Sequence, residues 1–173
     1  MLGIMLLVSF TLHAVQEKDF STVSYSIKKK ELNVRGALTT LRGSTYPISY
    51  ALIGGKQRCV RVYTGPCTPH SIIPKLTYDP RTYKEHLDLT KVKEITIPYP
   101  YATWFYASRG KHRGKRKYLL FQVTWHDKEK PISTYLVEKK RRISGIIEKE
   151  GRATDCALPL SCIKTIQFEQ MKK

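Results

Sequence analysis

Lys117-Tyr118-Leu119-Leu120-Phe121-Gln122-Val123-Thr124-Trp125 alternates with a period of two and places Leu119, Phe121, Val123 and Trp125 on one face. Such a run reads as a β-strand with one side turned to a core. Upstream, Tyr101 to Ala107 sets Ala102, Trp104 and Tyr106 against Tyr101, Thr103 and Phe105, and downstream Ile132 to Glu138 makes a third strand. Short connections between them predict an up-and-down antiparallel meander. Ile143 to Glu148 reads as a further strand, where Gly145 marks a bulge or a close backbone approach.

The rest of the chain extends this pattern. Tyr46 to Ile53 and Lys56 to Tyr63 flank Gly54-Gly55, a pair that tolerates the positive φ of a tight turn and predicts a hairpin. Glu94 to Ile97 is a short strand interrupted by Pro98 and Pro100, because proline offers no ladder donor. Glu17 to Lys30 suits a helix or a strand, and Ser71 to Lys93 is loop-rich with one strand. After Cys162, residues Ile163, Ile166 and Phe168 suit a short helix or a final strand. No internal repeat or low-complexity segment occurs. The expected class is mainly β, and a meander that must hide its edges closes as a barrel or folds into a small disulfide-bonded β-sandwich. Trp104, Tyr106, Phe121 and Trp125 are its candidate pocket or core residues.

Leu2 to Leu12 is an uncharged, mostly apolar run, shorter than the roughly 20 residues needed to span a bilayer, and it ends in Leu12-His13-Ala14. It reads as a secretory signal peptide, residues 1-14, leaving one secreted extracellular β domain at 15-173. No transmembrane anchor is expected. In an oxidising compartment four cysteines, Cys59, Cys67, Cys156 and Cys162, imply two disulfides. At least one is expected to join Cys59 or Cys67 to Cys156 or Cys162. Their spacings do not match zinc knuckles, so no metal is expected.

Lys plus Arg number 31 against 14 Asp plus Glu, a formal charge of +17 that attracts anionic partners. Asn33 is not in a glycosylation acceptor, so N-linked sugar does not shield this surface. Two clusters stand out as candidate anion-binding residues: Arg109, Lys111, Arg113, Lys115, Arg116 and Lys117, then Lys139, Lys140, Arg141 and Arg142. A meander brings both to one rim. Like charges so gathered repel unless a counter-anion is present, which points to an anionic polysaccharide such as heparin, to nucleic acid, to acidic lipid or to the acidic face of a protein. Sequence-specific nucleic-acid binding is not expected, since no aromatic-interleaved motif accompanies the basic runs.

His70, His86, His112 and His126 sit in no recognisable catalytic spacing, and Gly-x-Ser-x-Gly or Cys-His nucleophile motifs are absent. Neither an enzyme nor a cofactor is expected.

The segment from Tyr46 through Gly54-Gly55-Lys56-Gln57-Arg58-Cys59 to Val62 resembles the second-strand region of the tick salivary lipocalin family, and Asp155-Cys156-Ala157-Leu158 is similar to that family's Cys-x-Leu-Trp motif. Pro159 stands where the tryptophan would be. The resemblance implies an eight-stranded barrel with a short C-terminal helix, secreted, that sequesters a small ligand or a host factor. Because no buried carboxylates are evident for an amine, an apolar or anionic small ligand fits better. A basic surface module that uses the β domain as scaffold is the alternative.

Overall fold

β7, Lys115–Trp125, is the longest strand, and the fold is built around it. The computed structural model describes residues 32–64, 76, 79–99, 104–107, 115–149 and 151–171, with the strand path alone at 104–107 and 115. In chain order the strands are β1 (Gly36–Thr40), β2 (Thr45–Ile53), β3 (Val60–Tyr63), β4 (Lys84–Leu87), β5 (Val92–Thr96), β6 (Trp104–Ala107), β7, β8 (Ser133–Glu138), β9 (Arg142–Lys149), β10 (Arg152–Pro159) and β11 (Ile163–Phe168). All pairings are antiparallel, and the described residues contain 3₁₀ turns but no α-helix. No helix among the described residues is long and apolar enough to cross a membrane.

One continuous sheet results, in the order β10-β9-β2-β1-β11-β5-β7-β8-β3-β4, with β6 also on β7. It curls as a half-barrel. One edge of β7 carries β8, from Tyr118↔Glu138 to Val123↔Ser133. Its other edge is shared: β5 pairs with residues 122 to 125 and β6 with residues 115 to 118. β5 and β6 are thus two pieces of one interrupted strand, and Pro98 and Pro100 lie in the interruption.

All ten strands whose side chains are described send some into one contiguous cluster, including Leu38, Ile53, Val62, Leu87, Ile95, Phe121, Val137, Ile147, Leu158 and Ile166, each at most 3% exposed. A cluster fed from so many strands occupies the inside of the curl. Leu119, Phe121 and Val123 belong to it, with Trp125 packed against its edge. Tyr118 and Leu120, on the other face of β7, join Tyr63, Leu76 and Leu136 in a second cluster. β7 is therefore buried on both faces, and its sequence accordingly has apolar residues in both registers.

Local chemistry sets the path of β2. Tyr50 has φ 54, and the β2–β9 register shifts between Ser49 and Leu52. At this bulge Tyr50 N–H donates to Asn33 Oδ1 (3.3 Å) and Ala51 N–H to the Val34 carbonyl (3.0 Å). Gly145 of β9 lies against it, where a Cβ would stand 2.7 Å from the Ser49 carbonyl oxygen. Gly54 and Gly55 have φ 58 and 73, as the turn requires.

Several expectations are corrected. The turn at Gly54-Gly55 does not make a hairpin: after one bridge, Ile53↔Lys56, β2 pairs with β1 and β9 while β3 pairs with β4 and β8. Gln57 draws the chain away, because its buried amide bonds to Leu32 N–H (3.0 Å) and the Leu32 carbonyl (2.6 Å) and its own carbonyl accepts from Leu89 N–H (2.9 Å). Eleven strands form among the described residues where eight were expected, and Ile163–Phe168 form β11 rather than a helix, held between β1 and β5. A single sheet, not two packed sheets, also sets aside the sandwich.

The disulfide framework is corrected too. Cys59, Cys156 and Cys162 are free thiols, and Cys67 lies outside the described residues. Cys156 is buried in the core opposite Gly145, whereas Cys59 is exposed ahead of β3, and no disulfide joins the described cysteines. Burial pushes the Cys156 thiol up to about 11. The predicted signal peptide at 1-14 also falls outside the described residues.

Candidate functional site

The register of the meander fixes one rim of the sheet. Ala107↔Lys115, Tyr106↔Arg116 and Phe105↔Lys117 pair β6 with the start of β7, and Tyr118↔Glu138 pairs the next residue of β7 with the end of β8. Lys139 N–H donates to the Lys117 carbonyl (2.9 Å), so the chain leaving β8 lies directly beside the basic start of β7. It then turns tightly into β9, with Arg141 N–H donating to the Glu138 carbonyl at 3.0 Å. Arg116, Lys117, Glu138, Lys139 and Lys140, with Ser161 from the 3₁₀ turn Leu160–Cys162, line an open groove of about 480 Å³.

Four cations face one carboxylate in this groove. Glu138 Oε1 accepts from the Tyr63 hydroxyl at 3.2 Å, and Oε2 lies 3.8 Å from Lys140 Nζ. Glu138 is 15% exposed and Lys140 82%, so the acid is held in place while the ammonium reaches solvent. Burial, reinforced by the Glu138 charge, raises the Tyr63 hydroxyl above its ordinary range.

The second core cluster adjoins the groove through the bond from Tyr63 to Glu138. Tyr63 and Tyr118 meet edge to face, with ring centres 5.7 Å apart and planes at 87°. Burial, with smaller contributions from Tyr63, Asp79 and Glu138, pushes the Tyr118 hydroxyl up to about 12. That hydroxyl has no hydrogen-bond partner among the described residues. Asp79 is held below the usual carboxylate range chiefly by its bonds from Arg81, with Arg116 adding a weaker pull.

The two basic runs are not uniform. Arg116 and Lys117 are exposed, Lys139 is half-buried and Lys140 exposed. Arg141 packs over Gly54, where a Cβ would come within 2.9 Å of its Nη1. Arg142 donates from Nε (3.1 Å) and Nη2 (2.6 Å) to the Ala157 carbonyl and so ties β9 to β10. Arg109, Lys111 and Arg113 lie outside the described residues, as do the side chains of Lys115, Trp104 and Tyr106. Phe121 is fully buried core, and Trp125, half-buried, lies at the far end of β7.

Glu138, Tyr63 and Ser161 were not legible as parts of this rim. The signal for Glu138 was its place directly before Lys139 at a strand end; Tyr63 and Ser161 arrive through long-range topology. Among the described residues no cluster of His, Cys, Asp and Glu can hold a metal ion. Comparison with protein-family models, with curated proteins and with solved structures found no match to this chain.

Proposed function

We propose that this chain is a secreted, non-enzymatic binding protein whose working surface is the basic rim, and that the rim takes a sulfated or carboxylated polysaccharide of the glycosaminoglycan type. The observation that carries the reading is the convergence of Arg116 and Lys117 with Lys139 and Lys140 on one groove, from segments more than twenty residues apart. A flexible polyanion suits such a groove because it neutralises several cations at once and releases its own counterions. Secretion rests on the apolar leader from Leu2 to Leu12. The half-barrel is compatible with a scaffold of lipocalin type, but the inside of the curl is occupied by Leu38, Ile53, Ile95, Phe121 and Ile166. Sequestration of a small ligand within the curl is thus the less supported reading.

The test is heparin affinity of a variant carrying Arg116→Gln, Lys117→Gln, Lys139→Gln and Lys140→Gln. Its control carries Lys56→Gln, Lys84→Gln, Lys93→Gln and Lys164→Gln, four exposed lysines elsewhere, with the same loss of charge. The rim variant should bind at least about tenfold more weakly, a difference of about 1.4 kcal/mol, and the control far less affected. Equal losses in the two proteins refute a dedicated rim.

A further inference from the structure

We propose that the opposite end of β7 carries a second binding site, a pocket for a small planar organic anion such as an aryl carboxylate. Trp125 ends the strand, about 33 Å along it from Lys115 at roughly 3.3 Å per residue. Around it Arg58, Thr90, Lys91, His126, Asp127, Lys130 and Met171 line a pocket of about 490 Å³. That volume lies in the range of small-molecule sites, roughly 300 to 1,000 Å³.

Four distant stretches build the wall. Asp88 caps the 3₁₀ turn Leu89–Lys91 through Thr90 N–H (3.0 Å), and His126 N–H donates to the Lys91 carbonyl (3.1 Å), which fixes Lys91 beside the end of β7. The Trp125 indole is oriented by donating from Nε1 to Ser133 Oγ at 3.1 Å. Met171 packs against the core and adds an apolar side. Lys130 Nζ stands 4.9 Å from the centre of the Trp125 ring, so the aromatic face already carries a cation.

The chemistry of the ligand follows from this lining. Trp125 and Met171 offer a surface for a flat apolar body, and Arg58, Lys91 and Lys130 place positive charge around it. Asp127 is the one carboxylate on the wall among the described residues, and its Oδ1 is engaged by Glu129 N–H at 3.1 Å. His126 also lines the wall, beside the Lys91 carbonyl that its N–H holds. An anion without a ring would forgo the indole, and a neutral ring would forgo the three cations. The inference stands apart from the polysaccharide rim, since the two sites share no residue.

The experiment follows the indole N–H resonance of Trp125 during titration with indole-3-acetate, using the full folded domain. Indole-3-ethanol and inorganic sulfate serve as the neutral-ring and ringless probes. A saturable shift with indole-3-acetate is expected, and the double variant Arg58→Gln, Lys91→Gln should weaken it about tenfold. Both side chains are exposed, and the spectrum itself reports whether the variant is folded. A second double variant, Lys93→Gln, Lys164→Gln, should bind as the unmodified chain does. Absence of a saturable shift, equal binding by sulfate, or no difference between the two double variants overturns the proposal.

Discussion

Replacing Glu138 by Gln should strengthen polyanion binding, because Glu138 is the one negative charge among the described residues that line a groove of four cations. The substitution keeps an oxygen that can accept from the Tyr63 hydroxyl, now 3.2 Å from Oε1, so that bond is preserved. For an anionic group about 6 Å from that carboxylate, repulsion in water is about 0.7 kcal/mol. Screening over a Debye length of about 10 Å at 0.1 M salt reduces it to about 0.4 kcal/mol, or about twofold in affinity. Two anionic groups within reach give about fourfold. Heparin affinity by surface plasmon resonance at 0.1 M and 0.5 M salt reads the effect, which should shrink at the higher salt. The Tyr63 hydroxyl should also titrate at lower pH, yet remain above its ordinary range because burial, the larger cause, persists. Weaker heparin binding by Glu138→Gln at low salt refutes the reasoning, since it would make the carboxylate a contact rather than a repulsion.

Other expectations concern the scaffold. Phe121→Ala removes a fully buried ring from the core and should lower stability by about 3 to 5 kcal/mol in denaturant unfolding; a loss under about 1 kcal/mol would mean the curl is not packed as described. Tyr118→Phe removes a buried hydroxyl with no partner among the described residues and should leave stability unchanged or raise it by up to about 1 kcal/mol. With its ionisation raised to about 12, Tyr118 contributes stability that is complete below about pH 10 and is lost as pH rises towards 12. Unfolding midpoints at pH 9 and pH 11.5 should therefore fall less for the phenylalanine variant than for the unmodified chain. Exposed Cys59 should react promptly with a thiol reagent at pH 8, whereas buried Cys156, with its thiol raised to about 11, should react only on unfolding.

Much of the strand order around β7 was legible because its determinants are local. Alternation marked β7, β8 and β9, Gly54-Gly55 marked a turn, and Pro98 with Pro100 marked the break between β5 and β6. The shared rim followed, since antiparallel neighbours of known length must return the chain to the same end. β10 escaped notice because Cys156, Ala157 and Leu158 are buried in succession and show no alternation. β1 is only five residues, and the spacing of Ile163, Ile166 and Phe168 in β11 satisfies a helix as well as a strand. The pairing of β2 with β9, across nearly a hundred residues, is a tertiary choice set by the bulge at Tyr50 and the buried amide of Gln57. The cysteine reading failed for a related reason: number and compartment suggested bridges, but Cys156 faces the core while Cys59 is exposed. The pocket at Trp125 was equally hidden, because Arg58, Lys91 and Met171 reach it only through the fold.

The central claim is that the cations at the start of β7 and after β8 act as one groove. The most direct measurement is the salt dependence of heparin affinity for the unmodified chain, Arg116→Gln with Lys117→Gln, Lys139→Gln with Lys140→Gln, and all four together. Each pair should flatten the plot of log affinity against log salt, because fewer counterions are released. If either pair nearly abolishes binding, the quadruple variant should lose less than the sum of the two losses. Slopes that match the unmodified chain in both paired variants would contradict the account.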